Sequence, residues 1–273
     1  MIKTMQSFGE FADECRLPAP KLEDLSSIKT DSEAQQFSAT ATYEEALDML
    51  VSGAYLGEFT LNQAEITNEL CSEYLENQSA WDVSGSVVDV SSYLSGEPEC
   101  MLNFNTYQQP DRQLRLVYCT VEPHFVSTSD MMRRGAVIGA VVDTLEKLGY
   151  YIELYASLSS TYDSSEGEVH LVRVKEFSEL LNLNHLSATC HPSWLRRLGF
   201  RYIEHHHPED IHCGYGQIME YNEAKEYYQE LVGDHHYIPS VHESGESYDT
   251  PEDMLKAARK LTEKILQPQE VLQ

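Results

Sequence analysis

Residues 114–156 read LRLVYCTVEPHFVSTSDMMRRGAVIGAVVDTLEKLGYYIELYA and contain the clearest structural pattern of the chain. Their first part, Leu114–Val121, and their last part, Tyr150–Ala156, are rich in apolar and aromatic side chains, a composition typical of buried strands. The residues between them have the longer apolar period of a helix. The stretch therefore predicts one β-α-β unit with parallel strands and a right-handed crossover.

The helix of this unit is predicted to begin at Ser129 or Asp130, since either residue can cap a first turn. It is predicted to end at Leu148, because Gly149 is of the residue type that most often follows a helix. Its apolar face is too wide for a helix in solvent and suits one that lies on a sheet. That face is formed by Val137, Ile138, Val141, Val142, Leu145 and Leu148.

The whole chain is predicted to belong to the α/β class, with a Rossmann-like central sheet flanked by helices and with helical N-terminal and C-terminal additions. Val169–Val174 predicts a further strand. Capping residues and apolar periods predict helices over residues 7–15, 42–53, 61–75, 176–183, 191–198, 222–231 and 250–267. We divide the chain into an N-terminal arm (1–35), an α/β core (36–220) with a turn-rich excursion (81–101), and a helical C-terminal extension (221–273).

The charge of the chain is strongly acidic. Its 273 residues carry 19 basic and 45 acidic side chains, a formal net charge of −26, and the excess lies in residues 1–100 and 201–273. Because an acidic surface repels phosphate, direct nucleic-acid binding is disfavoured. A basic protein partner or a DNA-mimicking role suits this charge, and the alternative is a charge that only maintains solubility.

The cysteines indicate a reducing compartment. There are six of them, with no C-x-x-C pair, and the N-terminus lacks the order of a signal peptide. We therefore expect reduced thiols in a cytosolic protein. No apolar run reaches the roughly 18 to 20 residues of a membrane helix, so no membrane association is predicted.

One candidate metal site lies in the excursion. Asp82, Ser84 and Ser86 spell the D-x-S-x-S of a metal-dependent adhesion site, which holds a hard divalent cation such as magnesium with oxygen ligands. Such a site needs these residues at the carboxyl end of a buried strand, and the polar residues 76–80 do not indicate one. A turn with an Asx or serine cap is the alternative interpretation.

A second candidate is the histidine-rich stretch after residue 204, in which His207, His212 and Cys213 could supply three zinc ligands. Their spacing matches no established zinc pattern, and a polar surface loop is the alternative. No cofactor is predicted beyond these two possible metals, zinc and magnesium. No phosphate-binding loop or nucleophile elbow is present, and the adjacent Cys190 and His191 are not expected to face each other.

Two basic pairs are the only concentrated positive charge, Arg133 with Arg134 and Arg196 with Arg197. Each pair is predicted near a helix end in the nearly neutral middle of the chain. Two interpretations stay open: the pairs neutralise the acidic flanks, or they bind an anionic ligand.

Several short motifs together resemble an uncharacterised family of tailed-bacteriophage proteins, a domain of unknown function. The resemblance covers about residues 35–220, and its most specific part is the G-E-P-E-C-M run of residues 96–101. The other motifs are Thr40–Leu47, Trp81–Gly85, Val88–Val90, Arg134–Ala136, His191–Pro192 and Leu195–Leu198. The resemblance implies a viral origin, a location in the host bacterial cytoplasm or in the virion, and no established catalytic residues.

The β-α-β unit is similar, more distantly, to a von Willebrand factor A type core, an α/β sandwich used mostly for protein recognition. The similarity is one of pattern, since no D-x-S-x-S stands at the end of its first strand near Cys119.

Three functions follow as hypotheses. The first is a non-catalytic protein that binds a host or phage protein through its acidic flanks or through the excursion, with Trp81, Asp82, Asp89, Glu97 and Glu99 as candidate contacts. In this hypothesis Val87, Val88, Val90 and Leu94 are expected to anchor the excursion. The second is a metal-dependent hydrolase that uses the histidine-rich stretch or Asp82 and Asp89. The third is a DNA mimic that inhibits a DNA-binding protein.

Overall fold

The structure is a computed structural model that describes residues 2–5, 7–21, 25–54, 56–76, 79–84, 87–104, 113–163, 166–206 and 217–267. The strands are β1 (Ile2–Met5), β2 (Ser79–Asp82), β3 (Val87–Val88), β4 (Met101–Phe104), β5 (Gln113–Cys119), β6 (Tyr151–Ser157), β7 (Ser160–Asp163), β8 (Glu166–Lys175), β9 (Gln217–Ile218) and β10 (His236–Ile238). The helices are α1 (Phe8–Cys15), α2 (Ser32–Ser38), α3 (Tyr43–Ser52), α4 (Leu56–Glu76), α5 (Val90–Ser95), α6 (Thr128–Lys147), α7 (Leu183–Cys190), α8 (Phe200–His206), α9 (Tyr221–Val232), α10 (Val241–Ser244) and α11 (Pro251–Leu266).

The predicted β-α-β unit is confirmed. β5 and β6 pair in parallel, with Leu116 opposite Leu154, and α6 connects them. The helix begins at Thr128, and its cap is Ser127 instead of the predicted Ser129 or Asp130. The hydroxyl group of Ser127 accepts the backbone N–H of Asp130 at 3.1 Å. The α/β class is thereby confirmed.

The central sheet is mixed. It has seven strands in the order β10-β5-β6-β8-β7-β9, with β1 paired to the free side of β8. β10, β5 and β6 are parallel, whereas β8 runs antiparallel to β6 and β7. β1 brings the N-terminal arm into this sheet, and β10 makes the C-terminal extension its edge strand.

Alternate side chains of the sheet enter two cores, one on each face. Leu116 and Tyr118 point into the larger core with the helices α1, α3, α4, α6, α7 and α11. Val117 and Cys119 point into the smaller core with α9. Residues 114–119 are therefore covered on both sides, which explains their nearly continuous apolar sequence.

Close packing around α6 requires a glycine at position 135. A β-carbon there would lie 2.7 Å from Cβ and Sγ of Cys190 on α7 and 2.9 Å from the ring of Phe59 on α4. Both distances are below any normal contact. Gly135 thus allows α4 and α7 to lie directly against α6.

Two predicted helices differ in the structure. Residues 176–182 are not helical; the helix in this region is α7, which starts at Leu183 because Asn182 accepts the backbone N–H groups of Asn184 and His185. The helix predicted over 191–198 continues through α8 to His206, and its Trp194–Gly199 segment is a π-helix. The remaining helices, over 7–15, 42–53, 61–75, 222–231 and 250–267, are confirmed; α4 begins five residues earlier than predicted, at Leu56, and the other ends shift by one residue or less.

Candidate interaction site

The excursion contains a small antiparallel sheet of its own. β4 lies between β2 and β3, so that Met101 is opposite both Asp82 and Val88. The polar residues 76–80 predicted no core strand before Asp82, and the strand found there, β2 (Ser79–Asp82), is not part of the central sheet. This strand belongs to the small sheet and not to the central one, which is why its sequence lacks the apolar run of a core strand.

A capped helical turn projects from this sheet. Asp89 accepts the backbone N–H of Ser91 at 2.9 Å and the hydroxyl group of Ser92 at 2.8 Å. These hydrogen bonds, the one from Ser92 first, lower the pKa of the Asp89 carboxyl group. At the other end Gly96 adopts a left-handed conformation with φ of 81° and closes α5. Asp89 is therefore a helix cap with an ionised side chain.

Five apolar side chains of the excursion are exposed to solvent. The predicted anchoring role is wrong for Val88, Val90 and Leu94, since Val90 is 63 % exposed and Leu94 79 % exposed. Val83 and Tyr93 are exposed as well. An apolar pattern does not distinguish a buried face from an exposed one, and here it belongs to the surface. The described part of the excursion thus presents a group of exposed apolar side chains, Val83, Val88, Val90, Tyr93 and Leu94.

Carboxylates accompany this apolar group. Residues 81–101 contain Asp82, Asp89, Glu97 and Glu99 and neither lysine nor arginine. Glu97 and Glu99 are exposed on the segment that follows α5. The side chain of Trp81 lies outside the described residues. The surface of the excursion is therefore both apolar and acidic.

The whole chain matches a family. The family described as a domain of unknown function, DUF7192, matches residues 1–268. The chain belongs to the DUF7192 family. Neither a curated protein nor a solved structure matches this DUF7192 chain. Within the residues that the structure describes, no helix is both long and apolar enough to cross a membrane.

The candidate metal ligands of this DUF7192 chain are not assembled in the described residues. Asp82 accepts the backbone N–H of the adjacent Val83 at 2.6 Å, and Ser84 is exposed. Ser86 lies outside the described residues, as do His207, His212 and Cys213. In the described ranges, no group of three or more histidine, cysteine, aspartate or glutamate side chains is placed to hold a metal ion.

The first basic pair splits between the surface and the interior. Arg133 is partly exposed and donates to the carbonyl oxygen of Asp249 at 3.3 Å. Arg134 is buried, with Nη1 3.9 Å from Oε1 of Glu122. The partner of Arg134 is thus a buried glutamate of the nearly neutral middle region and not a carboxylate of the acidic flanks.

The second basic pair is buried and binds neutral oxygen atoms. Arg196 donates to the carbonyl oxygens of Phe37 and Pro123 at 2.7 Å and 2.8 Å, and its guanidinium group lies over the ring of Phe37. Arg197 donates to the carbonyl oxygens of Ser27 and Thr40 at 2.9 Å and 3.0 Å. Burial lowers the pKa of both guanidinium groups. These arginines hold the segment before α3 against the core and are not presented to an anionic ligand.

The carboxyl ends of β5 and β6 carry a buried polar network that the sequence did not indicate. Thr120 donates to the carbonyl oxygen of Ser157 at 2.7 Å and lies 3.2 Å from the indole nitrogen of Trp194. Ser157 lies 2.8 Å from the hydroxyl group of Tyr228 and 2.6 Å from that of Ser159. The only sequence indication of this network was a set of hydroxyl residues at the strand ends, and such residues are too common there to predict it. The network connects the sheet with α9 and with the π-helix.

Cys190 and His191 do not have the properties of a nucleophile and its base. Burial raises the pKa of the Cys190 thiol to about 11, so that it is protonated at neutral pH. Burial, followed by the nearby Arg196, lowers the pKa of His191 to about 4. A reactive thiolate needs a lowered pKa, and the surroundings of Cys190 have the opposite effect.

Proposed function

We propose that this protein is a non-catalytic binding protein that holds a basic partner protein through the excursion. The observation that carries the proposal is the exposure of the apolar side chains on this small module, with Tyr93 65 % and Leu94 79 % exposed. Several large apolar side chains exposed within one short module are typical of a contact surface. Tyrosine and leucine on a capped turn lose little conformational freedom when they bind.

The charge of the excursion supports a basic partner. Asp82, Asp89, Glu97 and Glu99 lie in the same short stretch as the exposed apolar side chains, and residues 81–101 carry no positive side chain. The net charge of −26 adds a long-range attraction for a cationic protein, which accelerates the encounter at low ionic strength. A lysine-rich or arginine-rich rim around an apolar centre is the complementary surface.

The resemblance to tailed-bacteriophage proteins supports a partner from the infected bacterial host or from the virus, and a site of action in the bacterial cytoplasm. The more distant similarity to a von Willebrand factor A type core agrees with protein recognition. Neither resemblance supplies a catalytic residue.

The proposal is tested by affinity capture with two matched variants. The unmodified chain should retain a basic protein from a lysate of the encoding cells in a stoichiometric amount. The Tyr93→Ser/Leu94→Ser variant should retain at least tenfold less of that protein. Leu180→Ser is the control, because Leu180 is 90 % exposed but lies outside the excursion. Both variants should keep the melting temperature of the unmodified chain, since the replaced side chains are on the surface.

Glu97→Gln and Glu99→Gln test the electrostatic part separately. Together they should weaken the captured complex and reduce its dependence on salt, because exposed charges are screened by ions. If the same proteins are retained by the unmodified chain and by the Tyr93→Ser/Leu94→Ser variant, the excursion is not the contact surface.

A further inference from the structure

A groove runs along one side of α4. It consists of two adjoining cavities of about 370 Å³ and 380 Å³ that share Asn62. The first lies between α4 and the beginning of α6, next to Thr128 and Arg133. The second lies between α4 and the beginning of α11, next to Pro251 and Leu255. We call this surface, with both cavities, the α4 groove.

The floor of the α4 groove is apolar. Phe59 and Met132 line the first cavity, and Ile66 and Met254 line the second. All four side chains belong to the buried core. They are held firmly by their neighbours, so the groove is formed before anything binds.

The α4 rim of the groove is acidic. Glu58, Glu65 and Glu69 line the two cavities and are exposed. Glu65 and Glu69 are four residues apart on the helix, where like charges repel each other. In the described part of the chain, none of the three forms an ion pair with a lysine or an arginine. Glu252 adds a carboxylate on the α11 side.

The dimensions and the charge of the groove select its occupant. Glu58 and Glu69 are eleven residues apart, which corresponds to ~16 Å along α4, or about three helical turns. Arg133 is the one basic residue in the lining of the two cavities, against four glutamates, so the groove keeps a negative charge. An apolar floor with an acidic rim complements a helix that has one apolar face flanked by lysine or arginine. A second copy of this chain does not supply that charge, because it is itself strongly acidic.

We propose that the α4 groove binds a basic amphipathic helix of a partner protein, with the apolar face of that helix against the accessible Pro251 and Leu255 above the buried floor and its cationic side chains on the glutamates of the rim. This surface is distinct from the apolar group of the excursion. The inference therefore goes beyond the proposed function and does not depend on it.

The probe is a fluorescein-labelled synthetic amphipathic helix of leucine and lysine, and fluorescence anisotropy measures its affinity. The Glu65→Gln/Glu69→Gln variant should bind it at least tenfold more weakly. The matched control is Glu226→Gln/Glu230→Gln, which removes two exposed carboxylates with the same spacing from α9, on the other face of the central sheet. The control should change the affinity less than twofold. Equal losses in both variants would show general attraction by the net charge and would overturn the proposal.

Asn62→Trp tests the groove without a change of charge. Asn62 is shared by both cavities, so a bulky side chain there should fill the groove and weaken peptide binding at least tenfold, with an unchanged melting temperature. Undiminished binding to the folded Asn62→Trp variant overturns the proposal, as does an absence of binding to the unmodified chain. A dimer of this chain that Asn62→Trp dissociates would place a second copy in the groove and would also overturn it.

The Tyr93→Ser/Leu94→Ser variant keeps the two surfaces distinguishable. It should bind the peptide as the unmodified chain does. If it loses the peptide, the probe binds to the excursion and the α4 groove is not the site. Failure of the peptide test with retained partner capture would leave the function of the excursion intact.

Discussion

Arg134 and Glu122 face each other in the interior of the protein, with Nη1 of the arginine 3.9 Å from Oε1 of the glutamate. Val241 and His242 donate their backbone N–H groups to the same carboxylate at 2.5 Å and 3.3 Å. Arg134 also donates to the carbonyl oxygen of Ile238 at 3.3 Å. One buried ion pair therefore connects the residues after β5, the helix α6 and the segment after β10.

Arg134→Met should strongly destabilise the protein. Burial already raises the pKa of Glu122, and Arg134 opposes that effect. Removal of the arginine leaves a buried carboxylate without its cation, which typically costs about 3–5 kcal/mol. Urea denaturation should show this loss in the free energy of unfolding. A second substitution, Glu122→Gln, should recover part of it, because no buried charge then remains while the glutamine side-chain oxygen can still accept a backbone N–H.

A surface ion pair is the control for this experiment. Arg259 lies 2.7 Å from Glu73, and both side chains are substantially exposed. Arg259→Met should therefore change the free energy of unfolding by only about 0–1 kcal/mol. If Arg134→Met costs no more than Arg259→Met, the buried pair does not stabilise the fold.

Arg197→Lys should loosen the segment before α3. The guanidinium group donates to the carbonyl oxygens of Ser27 and Lys29 at 2.9 Å and 2.5 Å, to that of Thr40 at 3.0 Å, and to the hydroxyl group of Ser38 at 3.0 Å. A lysine ammonium group cannot reproduce this planar arrangement, so we expect a loss on the order of 2–3 kcal/mol. Hydrogen exchange should become faster in residues 26–40.

Arg16→Lys controls for the loss of a guanidinium group. Arg16 is exposed and pairs with Asp13 within the same segment of chain at 2.9 Å. Its substitution should leave the exchange of residues 26–40 unchanged. Unchanged exchange in Arg197→Lys as well would show that Arg197 does not hold that segment.

The elements that the sequence predicted correctly are those whose cause is local. Ser7, Thr42 and Thr250 each cap their helix by accepting a backbone N–H three residues later, as their sequences indicate. The β-α-β unit was predictable because β5 and β6 are covered on both faces and the apolar face of α6 is wide. In each case the pattern that decides the element lies within one short sequence window, even where the residues that cover it lie elsewhere in the chain.

The arginine environments were not predictable because their partners lie far away in the chain. Arg197 is 170 residues from Ser27, and Arg196 and Arg197 are both buried on the π-helix segment. The prediction that the apolar side chains anchor the excursion was wrong for a different reason. Whether Leu94 is buried or exposed depends on whether another element covers it, and the excursion's own sequence contains no information on that.

Gly135→Ala should destabilise the protein although alanine favours helices. The added methyl group would lie 2.7 Å from Cys190 and 2.9 Å from Phe59, and such overpacking typically costs about 1–3 kcal/mol. Gly57→Ala is the matched control, since Gly57 is also helical and has no heavy atom within 4 Å of the added β-carbon. It should leave stability unchanged or raise it by up to about 1 kcal/mol. The melting temperature should therefore fall in Gly135→Ala and stay the same or rise in Gly57→Ala. An equal rise in both variants would contradict the close packing of α7 on α6.

His191 should make the protein less stable in mild acid. Its Nδ1 accepts the backbone N–H of Ser193 at 3.2 Å, so the folded protein holds the ring neutral. Burial, and then the charge of Arg196, lower its pKa from 6.5 to about 4. The unfolded chain binds a proton near pH 6.5, whereas the folded chain does so only near pH 4. Stability from His191 is thus fully present above pH 6.5 and is lost as the pH falls towards about 4.

His191→Asn isolates this contribution, because asparagine can still accept from Ser193 and does not titrate. The pKa difference corresponds to about 3 kcal/mol at most. Urea denaturation between pH 7 and pH 4 should give the unmodified protein a steeper loss of stability than the variant, by an amount approaching that figure. The lowered pKa values of His185, His235 and His236 affect both proteins equally, so they cancel in the comparison. Parallel curves for the two proteins would mean that His191 is protonated in the folded state as readily as in the unfolded one.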